Sequence, residues 1–145
     1  MISCSRYHDF CAGHRVAGHE NKCAHLHGHN YRVHFHVRGN VDTIGRIMDF
    51  SVVDRLLCRW LETNWDHKML LWENDPWVSL AVPSHIGYVP CNSVVRVQFN
   101  PTAENMAEYL LKNVGPVQLE GTGVELWRVV VEETRKCWAE ATKGE

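Results

Sequence analysis

Residues 27–38 read HGHNYRVHFHVR and stop at Gly39. Alternation over this length predicts a strand with one face in a core. Successive strand side chains point to opposite faces. One face carries His27, His29, Tyr31, Val33, Phe35 and Val37, and the other carries Arg32, His34, His36 and Arg38. Beyond its two histidines the first face is apolar. Imidazoles at the end of a buried face are costly unless something satisfies them. A metal ion does so, because neutral imidazole is a good zinc ligand. His34 and His36 fall in the opposite phase and are not counted as ligands, although a census of histidines would pick them first.

Working outward, residues 5–12 predict a strand that leads to Gly13 and His14. Its apolar face runs Phe10, Ala12, His14, so His14 is the expected third ligand on a neighbouring strand end. Three protein ligands leave a position open for catalysis. Residues 15–26 read as a loop, and Cys23 sits in it, ahead of His27. A thiol near zinc and cationic groups has a lowered pKa and serves as base or nucleophile. Cys23 as an incidental thiol, or as a fourth ligand closing the site, stays open at this point, and His25 is an alternative imidazole.

Residues 41–45 read as a turn. A helix is expected over 51–64, with Val53, Leu56, Leu57, Trp60 and Leu61 on one face and Ser51 with Asp54 as a capping-box variant. Residues 70–92 carry Pro and Gly breaks and read as a long loop packed down by Trp72, Trp77 and Tyr88. A third strand follows at 93–99. Pro101 and Thr102 open a second helix bearing Met106, Leu110 and Val114, which Gly115-Pro116 ends. The last strand is 124–134. The order β-β-α-β-α-β predicts an α+β domain over residues 1–145, with a four-stranded antiparallel sheet and two helices on one face. Its two open edges point to oligomerisation.

The 145 residues suit one domain with a real core. A formal charge of -2 and the lack of a basic stretch argue against nucleic acid as a partner. No apolar run of about 18 residues suggests a membrane span. The start MISCSRYHDF has no apolar signal region, so the cytoplasm is the expected location. The six cysteines form no CxxC pair, which speaks against a four-cysteine zinc site. Of the ten histidines, eight lie between His8 and His36.

Two further features carry chemistry. Asp66-His67 places a carboxylate beside an imidazole, as in acid–base relays. Glu133 is in phase with Val129 and Val131, and a carboxylate on an apolar face needs a donor partner. Val124, Leu126 and Val130 on the other phase weaken that argument.

Taken in order, Phe10-Cys-Ala-Gly-His14, Cys23-Ala-His-Leu-His27-Gly-His29, Gly45-Arg-Ile-Met-Asp49-Phe50, Asp66-His67, Pro101-Thr102-Ala-Glu104-Asn105 and Glu133-Thr134 resemble the 6-pyruvoyl-tetrahydropterin synthase / 6-carboxytetrahydropterin synthase family over essentially the whole chain. The resemblance implies the T-fold, or tunnelling fold, whose subunits join sheets into a barrel as trimers stacked into a hexamer, with active sites between subunits. It implies Zn²⁺ on His14, His27 and His29, catalysis by Cys23 and the Asp66–His67 pair, a pterin anchor at Glu133, and Thr102 lining the pterin pocket. The spacing CxxxHGH is similar to bacterial 6-carboxytetrahydropterin synthases of queuosine biosynthesis. These convert 7,8-dihydroneopterin triphosphate to 6-carboxy-5,6,7,8-tetrahydropterin, acetaldehyde and triphosphate. A 6-pyruvoyl-tetrahydropterin synthase and a non-catalytic zinc- or pterin-binding oligomer are the alternatives. The chain departs from the family pattern in a longer 71–92 loop and in Gly13, where Ala is common.

Overall fold

Strands β1 (Ser3–His14) and β2 (His27–Arg38) pair antiparallel along their whole length, from Ser3 opposite Arg38 to His14 opposite His27. The computed structural model describes residues 1–78 and 92–144. The register puts even residues of β1 on the same face as odd residues of β2, with Phe10 opposite Tyr31 and Ala12 opposite His29. That shared face is the core face: Phe10, Ala12, Tyr31, Val33, Phe35 and Val37 are all buried.

The chain then forms α1, which runs from Phe50–Val53 through a wider π-type stretch at Asp54–Cys58 into Arg59–Asn64. Its N-cap is Asp49, whose side chain accepts the Ser51 N–H at 2.8 Å, so the cap lies two residues ahead of the expected Ser51. Strands β3 (Lys68–Trp72) and β4 (Val94–Val97) follow. Helix α2 spans Ala103–Tyr109, a second π-type stretch Leu110–Val114 and Gly115–Gln118. Pro116 does not end the helix as expected. Lacking an N–H, it joins the final turn behind a widened stretch that absorbs the missing bond. Strands β5 (Glu125–Glu132) and β6 (Trp138–Thr142) complete the sheet.

Among the described residues the sheet has six strands in the order β4-β3-β1-β2-β5-β6, rather than the expected four. Nor is it wholly antiparallel, because β3 runs parallel to both β1 and β4. Strand β3 runs from Lys68 into the start of the stretch expected to be loop, 70–92. Its Leu70 and Leu71 are both buried, and a strand covered on both faces shows no alternation. The rest of that expected loop, 79–91, including Tyr88, lies outside the described residues.

Both helices cover one face, where Val53, Leu57 and Leu61 of α1 and Met106, Ala107 and Leu110 of α2 join the strand residues in a single core. Fully burying a side chain such as Phe35 or Leu57 contributes about 2–3 kcal/mol. An irregularity in the β2–β5 pairing at His36/Val37 leaves Trp127 without a register partner on β2. It shifts the phase so that Leu126, Val129 and Val131 all face the core. This bulge explains why apolar residues occur on both phases of β5. Among the described residues, no helix is long and apolar enough to cross a membrane.

Candidate metal centre

The β1–β2 register carries His14, His27 and His29 to one end of the core face. One nitrogen from each lies within 4.8 Å of those of the other two. Their rings meet edge to face, with centroids 4.5–5.1 Å apart. His14 is fully buried.

Backbone carbonyls set the tautomers of two of these rings. A carbonyl oxygen only accepts, so His14 Nδ1–H donates to the Pro101 carbonyl at 2.6 Å and His27 Nδ1–H donates to the His25 carbonyl at 2.6 Å. In the neutral rings Nε2 then carries a lone pair. The two Nε2 atoms face each other at 3.0 Å. Burial pushes the His14 imidazole down to about 4, so near neutral pH it brings no proton to relieve this contact. His29 is also lowered, chiefly by burial. Its Nε2 is a buried atom with no hydrogen-bond partner. Oε1 of Glu133 stands 3.4 Å from His14 Nε2 and 3.6 Å from His29 Nε2. Two lone-pair nitrogens, the His29 Nε2 and a carboxylate oxygen thus converge on one small volume, with no hydrogen bond to a donor bridging the two facing lone pairs among the described residues. The donor set fits a divalent cation of the zinc type: three imidazoles, two of them held by backbone carbonyls through their other nitrogen.

Cys23 lies in a single 3-10 turn, Lys22–Ala24, and is half-buried with a free thiol. It is not among the donors within mutual reach, which leaves the three-imidazole set open. Burial, with the charge of Glu133 behind it, raises the Tyr31 hydroxyl well above its ordinary value. Tyr31 packs edge-on to His14 and His29, and its hydroxyl also lacks a partner.

Asp66 and His67 do pair, with Nδ1 to Oδ2 at 2.8 Å. Both grip the backbone of Cys11. Asp66 Oδ1 accepts the Cys11 N–H at 3.0 Å, and the His67 N–H donates to the Cys11 carbonyl at 2.6 Å. Burial pushes the Asp66 carboxyl up, but the Cys11 and His67 hydrogen bonds more than offset it, leaving the group below its ordinary value. His67 adopts φ 58°, a left-handed conformation uncommon outside glycine, and held strain of this kind clusters at functional sites. Its side chain is 78% exposed. It lines a cleft with Asp9, Cys11, Asn30 and Arg32, the phase facing away from the helices, and joins none of the three imidazoles through a hydrogen bond or ion pair among the described residues. The structure therefore groups Glu133 with the histidines and leaves His67 turned outward.

Thr102 is the N-cap of α2, its hydroxyl accepting the Asn105 N–H at 3.2 Å. The cap fixes Pro101, and so the carbonyl that holds His14. His25 contributes its carbonyl instead of its ring. Sequence reasoning missed Pro101 and the Arg15–Asp75 pair, in which Nε donates to Oδ2 at 2.6 Å. The pair spans sixty positions, and no local pattern marks it.

A second set of donors, His8, Asp54 and Cys58, also lies within 4.8 Å. Its charges are already matched. Arg6 and Arg59 reach Asp54 at 3.5 and 3.2 Å, and His8 is held by Glu62 and Arg59. Burial pushes the Cys58 thiol up to about 12. This is a satisfied polar network.

Comparison with known proteins follows the same lines. A family profile described as 6-pyruvoyl tetrahydropterin synthase matches residues 3–144. A 6-carboxy-5,6,7,8-tetrahydropterin synthase of Rickettsia bellii is 35% identical over 141 residues, covering 97% of this chain and 99% of the relative. An uncharacterized protein of Wolinella succinogenes superposes with a TM-score of 0.83 at 23% identity, over 99% of this chain and 98% of the other. The 6-pyruvoyl tetrahydropterin synthase of Caenorhabditis elegans gives a TM-score of 0.69 at 22% identity, over 99% and 96%. At these identities the two structures speak for the fold alone.

Proposed function

The chain belongs to the 6-pyruvoyl tetrahydropterin synthase family, and on that premise we propose that it is a zinc-dependent 6-carboxy-5,6,7,8-tetrahydropterin synthase. The proposed reaction takes 7,8-dihydroneopterin triphosphate and one water to 6-carboxy-5,6,7,8-tetrahydropterin, acetaldehyde and triphosphate, a carbon–carbon lyase step within queuosine biosynthesis, the water supplying the second carboxyl oxygen. The observation that supports this reading is the convergence of one nitrogen from each of the three imidazoles, with the Nε2 lone pairs of His14 and His27 facing each other at 3.0 Å.

His14, His27 and His29 would hold Zn²⁺ through Nε2, and the ion when bound supplies a Lewis acid for the substrate's side-chain hydroxyls. Pro101 and His25 keep two of the imidazoles in the ligating tautomer. Cys23 exchanges protons on one side of the substrate side chain, and His67, oriented by Asp66, does so on the other. Glu133 accepts hydrogen bonds from the pterin amino and ring N–H groups as a charge-assisted contact. Thr102 adds a hydroxyl to the same pocket. The oxidation state change is internal to the substrate, so no redox cofactor takes part.

His67 points away from its own imidazole cluster, and this favours a site completed between copies. The His67 of one copy would then meet the metal and Cys23 of the next, in a homo-oligomer of trimer or hexamer type acting in the cytoplasm. The relative named 6-carboxytetrahydropterin synthase aligns nearly end to end and favours the carboxy product over the pyruvoyl one. Incubation with 7,8-dihydroneopterin triphosphate and mass analysis of the products tests the assignment. Acetaldehyde with a carboxytetrahydropterin supports it. A pyruvoyl product assigns the protein to the sister reaction, and absence of triphosphate release makes it a binding protein.

A further inference from the structure

Arg15 follows His14 directly, yet its guanidinium is turned inward. Its Nε donates to Asp75 Oδ2 at 2.6 Å and its Nη1 donates to the Ala24 carbonyl at 2.9 Å. The guanidinium also lies 5.9 Å from the centre of the Trp77 ring. The Asp75 side chain is fully buried, and that of Arg15 is 15% exposed. Asp75 is fixed in turn, since its Oδ1 accepts the Trp77 N–H at 2.9 Å. The next residue along, Val16, donates its N–H to the carbonyl of Cys23 itself at 2.7 Å.

The turn that carries Cys23 has few other anchors among the described residues. It is three residues long, buries none of them and has no side-chain cap. Among the described residues, its hydrogen bonds to the chain just after β1 come from Arg15 and Val16. Arg15 suits the task because one planar fork serves a carboxylate and a carbonyl at once, which the point charge of a lysine does not. A buried pair of this kind holds its geometry firmly, because removing one partner strands a charge away from water.

We propose that Arg15 and Asp75 form a buried latch that sets the position of the Cys23 thiol beside the imidazole cluster. They are positioning residues, and the inference rests on the role of Cys23 in the function proposed above. Asp75, more than fifty positions from Cys23 in sequence, thereby belongs to the working parts of the site.

The test uses the metal-loaded full chain and the variant Asp75→Asn. Four quantities are read: kcat, KM, metal per chain, and the alkylation rate of Cys23 by iodoacetamide relative to the exposed Cys11, followed by peptide mass spectrometry. The expected result is a fall in kcat on the order of 100-fold, the scale of a displaced reacting group. KM and metal content should stay at wild-type values, and the Cys23-to-Cys11 alkylation ratio should rise several-fold. A folded variant with wild-type kcat and ratio overturns the latch, as does one that only melts earlier. Should Asp75→Asn fail to fold, Arg15→Lys keeps a cation opposite Asp75 while losing the fork to Ala24. The same pattern is expected of it, and wild-type behaviour overturns the proposal. If the wild-type protein does not turn over the pterin triphosphate, the functional assignment fails while the alkylation ratio still decides the latch.

Discussion

The Nε2 atoms of His14 and His27 face each other across 3.0 Å, each ring pinned by a backbone carbonyl at its other nitrogen. Two lone pairs at that distance repel unless a proton or a cation lies between them. The purified protein should therefore retain zinc, and His27→Ala should lose it. Elemental analysis after dialysis checks both. Exposure to a chelator should abolish turnover, and added Zn²⁺ should restore it. A fully active protein free of metal would remove the basis of the assignment.

His67 and Cys23 should be separable onto different chains. Cys23→Ala and His67→Ala are each expected to be inactive while keeping their zinc. Co-refolding the two in equal amounts should restore about a quarter of wild-type turnover, since each head-to-tail site then draws one intact residue from each neighbour at random. No recovery would mean that both residues act within a single chain.

Acid should weaken the metal-free protein earlier than carboxylate titration alone implies. Buried His14 stays neutral down to about pH 4, whereas an unfolded imidazole takes up its proton near 6.5. Between those values the unfolded chain binds the extra proton, so stability falls as pH drops from about 6.5 toward about 4. His29 and His36, both lowered chiefly by burial, act in the same direction. The His14 contribution is at most on the order of 3 kcal/mol. Urea melts of the metal-free wild type and His14→Gln across this range should diverge in slope. Parallel slopes would contradict the burial argument.

Two glycines predict unequal costs. A Cβ at Gly115 would stand 2.6 Å and 2.9 Å from Cδ2 and Cβ of Leu126, a core side chain anchored in β5. Gly115→Ala should cost about 1–3 kcal/mol by overpacking. A Cβ at Gly13 meets the terminal Cε of Met69 at 2.6 Å and its Sδ at 2.9 Å, the free end of a flexible chain, and the His27 carbonyl oxygen at 3.3 Å. Gly13→Ala should cost less than Gly115→Ala, because Met69 can swing aside and only the tight contact with the His27 carbonyl remains. Thermal melts of the two variants compare them directly.

The imidazole cluster was legible in the sequence because strand alternation separates His27 and His29 from His34 and His36 without reference to contacts. His14 followed from the same phase on β1. What the sequence withheld was non-local. Strand β3 is buried on both faces at Leu70 and Leu71 and so carries no period. Strand β6, with Ala139 and Ala141 inward, is too short and too weakly apolar to stand out. The parallel pairing of β3 to β1 depends on how α1 returns the chain. The α1 cap moved to Asp49 because its carboxylate reaches both the N–H and the hydroxyl of Ser51. The carbonyls of Pro101 and His25 were invisible because backbone groups leave no residue signature. The adjacency of Asp66 and His67 showed a pair but not its direction, which the positive φ of His67 sets.

Zinc K-edge X-ray absorption on the purified protein tests the open three-imidazole site most directly. Three nitrogen neighbours and one oxygen at about 2.0–2.1 Å, with imidazole scattering and no sulfur, is the expected spectrum. It should be the same in Cys23→Ala. A sulfur neighbour at about 2.3 Å that disappears in Cys23→Ala would make Cys23 a ligand, close the site, and contradict its assignment as the free acid–base thiol.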